Sequence, residues 1–199
     1  ALLPLVASSY TISFLLLMFA NVALATAWSF FSGATRYISL ATASFFGIGI
    51  YTLAITHVYI PVGLALVAAA VISFLVAIVV GLSTLRLRGV YFVVFTFGLT
   101  ELVHQVINWW EIKINKTATR YIFSDVSNVT IYLTLLAVAF ITIIGSWYVS
   151  QSRLGYALRA IGEDETVARH TGINTTWVKV LCFALSASAM ALVGATLAL

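Results

Sequence analysis

Long apolar runs separated by short polar breaks fill the chain, and about 20 apolar residues are what a helix needs to cross roughly 30 Å of hydrocarbon. Six such runs can be marked, at residues 10–31, 37–56, 60–82, 90–110, 130–149 and 177–198. Aromatic residues gather at their ends: Trp28, Phe30 and Phe31, then Trp109 and Trp110, then Trp147 and Tyr148, then Trp177 beside Lys179. Trp and Tyr, whose rings have an apolar body and a polar tip, settle at the membrane–water boundary. Pro61 is tolerated at the entry to the third span. The pattern predicts an all-α, polytopic transmembrane bundle forming a single domain over 1–199.

The polar stretch 150–176 between the last two spans has an order of its own. Leu154, Leu158 and Ile161 recur at helical spacing, giving one apolar face. Glu163, Asp164 and Glu165 precede Val167, Ala168, Arg169 and His170, and Gly172 follows. Acids first, cations last and glycine just beyond is what a short helix wants, predicting one over 163–172. Asn174 or Thr175 is placed to cap the next span. Such a loop suits docking of a soluble partner; the plainer alternative is a solvated loop resting at the headgroups.

Composition sharpens the class. The chain is 62% hydrophobic and 8% charged, with a mean hydropathy of +1.10; soluble domains carry about 25% charged residues. The net charge of +4 is a topology signal and not a nucleic-acid footprint, because the bases flank spans. With 150–176 on the cytoplasmic side, that side carries seven bases, Arg36, Arg86, Arg88, Arg153, Arg159, Arg169 and Lys179. The other side carries three, Lys113, Lys116 and Arg120. The positive-inside rule therefore places the loop in the cytoplasm. Cys182 is alone in an apolar run, which excludes an intrachain disulfide and predicts a packed structural thiol. The start at Ala1-Leu2-Leu3-Pro4 and the end inside an apolar run suggest a fragment. Asn115-Lys116-Thr117 and Asn128-Val129-Thr130 fit the glycosylation acceptor pattern, a weak signal.

Two intramembrane patterns carry candidate chemistry. Ser39, Ala43 and Gly47 are spaced four apart, a track for close helix packing. Gly47 and Gly49 also weaken the second span, which would suit a broken helix lining a pathway. In the fourth span, Glu101, His104, Gln105 and Asn108 fall on one helix face, with Glu101 and His104 one turn apart. A mid-membrane acid costs roughly 2.5–3.5 kcal/mol on the insertion scale, so this face should meet protein or water. It is either a structural polar seam or part of a substrate pathway. No nucleophile or metal-ligand set accompanies it, which argues against an enzyme. Asn21, inside the first span, should seek a partner helix.

The stretch Arg153-Leu154-Gly155-Tyr156-Ala157-Leu158-Arg159-Ala160-Ile161-Gly162-Glu163-Asp164-Glu165, continuing to Gly172-Ile173-Asn174, resembles the cytoplasmic loop of branched-chain amino-acid ABC transporter permeases of the LivM type. Thr84-Leu85-Arg86-Leu87-Arg88-Gly89-Val90-Tyr91-Phe92 is similar to that family's basic turn, and Ala43-Ser44-Phe45-Phe46-Gly47-Ile48-Gly49-Ile50-Tyr51 to its early glycine-containing helix. The resemblance implies that the loop carries a coupling helix gripped by an ATPase subunit, with Glu163, Asp164, Glu165, Val167, Ala168, Arg169 and Gly172 as docking residues. Val167 and Ala168 fall on the two alanines of the importer motif and Gly172 on its glycine. Thr166 stands where the acid belongs, with Glu165 displaced by one. The external loop lacks the glycine-rich run common in relatives, and 34–42 departs from their usual sequence.

The resemblance further implies a second permease subunit, two ATP-binding subunits, a periplasmic solute-binding protein, and an inner-membrane location. No phosphate-loop motif occurs in the chain. No cofactor is expected on it; ATP and Mg²⁺ would bind the partner subunits. Branched-chain or other hydrophobic amino acids are the expected solutes, with urea or short amides as the alternative. A secondary transporter using Glu101 and His104 as an ion-coupling site is the competing class.

Overall fold

In a computed structural model, residues 9–57, 59–85, 87, 89–115 and 128–199 are described. They form eight α-helices and no strand. The order is α1 (Ser9–Trp28), α2 (Thr42–Thr56), α3 (Val62–Thr84), α4 (Val90–Trp110), α5 (Asn128–Ser150), α6 (Arg153–Glu163), α7 (Glu165–His170) and α8 (Thr175–Leu197). π-Helical turns, Ser29–Gly33 and Glu111–Asn115, extend α1 and α4. Arg86, Arg88, Lys116, Arg120 and two of the three residues of the first glycosylation triplet lie outside the described residues, whereas the second triplet, Asn128-Val129-Thr130, opens α5.

Five segments are long and apolar enough to cross a membrane, those built on α1, α3, α4, α5 and α8; α2 is apolar but shorter. This corrects the expectation of six full-length helical spans. The second run, expected as helix over 37–56, is helical only from Thr42, and its 15 residues cover about 22 Å. Residues 36–40 ahead of it are not helical. Non-helical chain reaches up to about 3.3 Å per residue, so the two parts together can still cross about 30 Å.

The helix fails there because side chains capture the backbone. The Tyr37 N–H donates to Thr35 Oγ1 at 3.2 Å, Ser39 N–H to Ser32 Oγ at 3.3 Å, Leu40 N–H to Thr96 Oγ1 at 3.1 Å and Ala41 N–H to Ser39 Oγ at 3.3 Å. The Trp28 indole N–H donates to the Ser39 carbonyl at 2.9 Å, and the Thr100 hydroxyl lies 3.1 Å from the Leu40 carbonyl. Serine and threonine offer the backbone local alternatives to a helical ladder. Inside a membrane, non-helical backbone survives only where protein satisfies it. Arg36 begins the break with φ +59°, an uncommon backbone for a side chain of its size. Ser39 therefore does not continue the expected small-residue track, and Ala43 is exposed.

The second span and α4 run side by side in the same direction. The Tyr37 ring meets Phe92 edge-on at 5.4 Å. Leu40 then meets Thr96 and Thr100, the Ser44 hydroxyl donates to Thr100 at 3.0 Å, and the Tyr51 hydroxyl donates to buried Glu111 at 2.9 Å. Apart from this seam α4 is the least covered of the five long segments, whereas α8 is the most covered and packs against α1, α2, α3 and α5.

Small residues let α8 take that central place. A Cβ on Gly49 would lie 2.1 Å from the Ala191 carbonyl oxygen, and one on Gly194 would lie 2.2 Å from that of Phe46. The two backbones touch twice, a turn or so apart, which fixes α2 against α8 in register and height. Phe31, Phe45, Phe92 and Phe183 fill the adjoining core edge-to-face, and Cys182 is fully buried there as a packing residue. Phe31, placed by sequence in an interfacial belt, thus turns inward. Asn21 binds its own helix, donating to the Leu17 carbonyl at 2.8 Å, and not a neighbour.

Gly49→Ala and Gly194→Ala should each destabilise the bundle by about 1–3 kcal/mol, because the backbones must separate. Gly47→Ala, which meets nothing within 4 Å, should leave thermal unfolding in detergent near wild type.

Candidate functional site

The ends of α1, α3 and α5, the start of α8, and both α6 and α7 meet at one end of the bundle. Helix α6 is strongly amphipathic. Leu158 and Ile161 are buried while Tyr156 is exposed. Two glycines seat α6: Gly155 lies over the Ser150 carbonyl and Gly162 over that of Ala34, at separations a Cβ would reduce to 2.4 and 2.2 Å. The helix stops at Asp164, whose backbone is extended at φ −152° and ψ 109°.

Asp164 is also the N-cap of α7. Its Oδ1 accepts from the Thr166 N–H at 2.7 Å and the Val167 N–H at 3.2 Å. At the other end Gly172, at φ +85°, accepts the left-handed turn that a side chain resists. Its N–H donates to the Arg169 carbonyl at 3.1 Å and the Ile173 N–H to the Ala168 carbonyl at 3.2 Å. That pair of bonds is the Schellman motif. The expected single helix over 163–172 is thus a turn and a half, Glu165–His170, capped at both ends and separated from α6 by Asp164.

The sequence-predicted docking residues divide into two sets. Glu163, Asp164, Val167, Arg169 and Gly172 are exposed, with Val167 58% accessible. Ala168 is buried and Glu165 faces inward. The Glu165 carboxylate is held by three groups. Lys179 Nζ lies 2.9 Å from Oε1, the Tyr37 hydroxyl donates to Oε2 at 2.7 Å, and Arg169 Nη2 is 3.5 Å from Oε1.

Lys179 is the hub. Sequence placed it at the membrane interface, but it is only 2% exposed. Its ammonium donates to Glu165 Oε1 at 2.9 Å, to the Leu85 carbonyl at the end of α3 at 2.9 Å, and to Tyr37 Oη at 3.3 Å. It also stands 4.7 Å from the centroid of the Tyr37 ring. One buried cation therefore joins α7, α3, α8 and the non-helical segment. The available signal was a lysine already inside an apolar span, since a charge there requires a partner. Nothing in the sequence named Tyr37 or the Leu85 carbonyl as those partners.

The intramembrane candidates are placed differently. Gly49 is used up in packing against α8, while Gly47 faces open space. Glu101, His104, Gln105 and Asn108 all lie on exposed surface of α4. Glu101 and His104 do not pair with each other. Gln105 Nε2 donates to Glu101 Oε1 at 3.0 Å, and Asn108 Nδ2 lies 3.2 Å from His104 Nε2. Among the described residues no group of three or more His, Cys, Asp and Glu side chains could hold a metal ion.

A multi-pass helical bundle with a polar face inside one span and a capped surface helix anchored to its core has features a membrane permease can use, and the family match makes the assignment. The chain belongs to the family described as the branched-chain amino acid transport system permease component, which it matches over residues 10–199. It is similar to the high-affinity branched-chain amino acid transport system permease protein LivM of Salmonella typhimurium, at 24% identity over 190 residues. That match covers 78% of this chain and 44% of the relative, so the chain spans less than half of the relative's length. No solved structure matches it.

Removing one member of the buried pair should cost about 3–5 kcal/mol, because the other charge stays buried. Lys179→Met and Glu165→Gln should each lower the unfolding midpoint strongly. The double variant should lose clearly less than the sum of the two. Strict additivity in an unfolding titration would mean that the two side chains do not act as a unit.

Proposed function

We propose that the chain is the membrane-spanning part of an ATP-driven importer for branched-chain or other hydrophobic amino acids, working by alternating access. The observation that carries this reading is α7: a short helix with an exposed outer face whose inner face is tied by Lys179 and Tyr37 to the membrane core. A helix gripped from outside passes force inward only if it cannot swivel on its mount, and two caps and a buried ion pair prevent swivelling. Lacking a phosphate loop, the chain relies on ATP and Mg²⁺ held by two partner ATPase subunits. A second permease subunit completes the pathway, and a solute-binding protein delivers the amino acid from outside.

In this reading the 150–176 loop faces the cytoplasm of a bacterial or archaeal cell, and the protein sits in the inner membrane. The exposed Glu101, His104, Gln105 and Asn108 face of α4 turns toward the pathway or the second subunit, since lipid would not tolerate the acid. The amide partners of Glu101 and His104 favour a polar lining over a proton-exchanging acid–imidazole pair. ATP-bound and ATP-free states then differ in how the ATPases hold α7, a local contact biasing a two-state membrane element.

A gentle-detergent pull-down of the full-length tagged protein should recover a phosphate-loop ATPase and a second permease. Val167→Asp, an exposed change outside the core, should reduce ATPase recovery about tenfold, equivalent to about 1.4 kcal/mol, with membrane insertion unchanged. Recovery of the chain alone or as a homo-oligomer would count against the importer reading.

A further inference from the structure

The segment 36–41 differs from its surroundings in how it is held. Helices α2 and α8 touch backbone to backbone at Gly49 and Gly194, a contact that cannot slide without clashes. The 36–41 backbone is held instead by single bonds to the side chains of Ser32, Thr35, Ser39, Thr96 and Thr100 and to the Trp28 indole. Hydroxyls rotate and exchange partners, so such a segment can change conformation without breaking a helical ladder. Arg36 supplies a bend at φ +59°. A cleft of about 450 Å³ lies beside the segment, lined by Arg36, Tyr37, Ile38, Val90, Gly162 and Glu165. It gives Tyr37 and Ile38 room to move. Ile38 and Leu40 are 52% and 45% exposed, and Ile38 lines the cleft together with Val90 and Val93 of α4.

Tyr37 joins this segment to the surface helix. Its hydroxyl donates to Glu165 at 2.7 Å and accepts from Lys179 at 3.3 Å, while its ring packs on Phe92 of α4. We propose that Tyr37 is the positioning residue through which displacement of α7 is transmitted to 36–41, making that segment the moving gate of the pathway and Arg36 its hinge. Helix α2 beyond Thr42 stays fixed to α8. The inference rests on the importer reading, in which a partner ATPase moves α7. It adds the residue that carries the motion and the place where it arrives. The Phe92 contact gives the same tyrosine a hold on the start of α4, so gate and polar face would shift together.

The test uses the complete transporter with its ATPase and binding protein in proteoliposomes. Tyr37→Phe keeps the ring, its Phe92 contact and the ring's contact with the Lys179 ammonium, and removes the hydroxyl with its bonds to Glu165 and Lys179. The expected result is full assembly and basal ATP hydrolysis within about twofold of wild type, with solute transported per ATP falling at least about fivefold, the lower end of the range for coupled sites. An unchanged transport-to-hydrolysis ratio would overturn the proposal while leaving the importer reading standing. Absence of ATP-driven uptake in the wild-type complex would overturn the importer reading itself. A second measurement does not depend on how the Tyr37 variant folds. Ile38→Cys should react with a water-soluble maleimide at rates that differ at least about fivefold between ATP-free and ATP-trapped transporter, the lower end of the range for coupled sites. Equal rates would overturn the moving gate.

Discussion

A buried lysine must have its charge answered, and the fold at one end of the bundle is arranged to do so. Lys179 has three N–H donors, and Glu165, the Leu85 carbonyl and the Tyr37 oxygen take all three. Each acceptor belongs to a different part of the chain, so satisfying one ammonium fixes three connections at once. Hydrophobic burial alone would hold α8 in the bundle equally well. It would not determine how the short α7 helix sits, because a helix with one buried side chain, Ala168, has little apolar surface with which to resist rotation. The ion pair, the Asp164 cap and the Gly172 turn supply that orientation together.

The bundle thus divides into a stiff part and an adjustable part, and the division follows residue chemistry. Where glycine removes the Cβ, as at Gly49 and Gly194, backbones meet directly and the contact has no slack. Where serine and threonine replace helical hydrogen bonds, as around 36–41, each connection is a rotatable hydroxyl. Helix α4 belongs to the adjustable side. It is joined to the bundle through a ladder of Phe92, Thr96, Thr100 and Glu111, facing Tyr37, Leu40, Ser44 and Tyr51 in turn. Its other surface carries the polar side chains that lipid would reject. In the proposed importer the two kinds of contact would serve two needs, a pathway that opens on one side and a bundle that stays folded.

Much of this was legible in the sequence, for reasons that can be named. Long apolar runs fixed five spans to within a few residues, because the cost of exposing polar backbone to lipid leaves few alternatives. The α6 face, the Asp164 region and Gly172 were recognisable because amphipathic spacing and caps are local signals. The break at 36–41 was not legible: Ser39 and Thr42 are compatible with a helix, and the partners that capture the backbone, Thr96 and Thr100, are far away in the chain. The same holds for Glu165, which looked like surface charge beside Glu163 and Asp164 until Lys179 and Tyr37 were seen beneath it. Residue type and spacing report local structure well; a long-range polar pairing must be seen to be known.

In the proposed mechanism α7 and the non-helical segment move together through the hydrogen bond between Tyr37 and Glu165. Hydrogen–deuterium exchange on the complete transporter, compared between ATP-free and ATP-trapped states, tests it most directly. The account predicts that amides of 165–170 and of 37–41 change protection together, and that the change at 37–41 is lost in Tyr37→Phe while that at α7 remains. Protection of α7 on ATP binding with 37–41 unaltered in the wild type would contradict it.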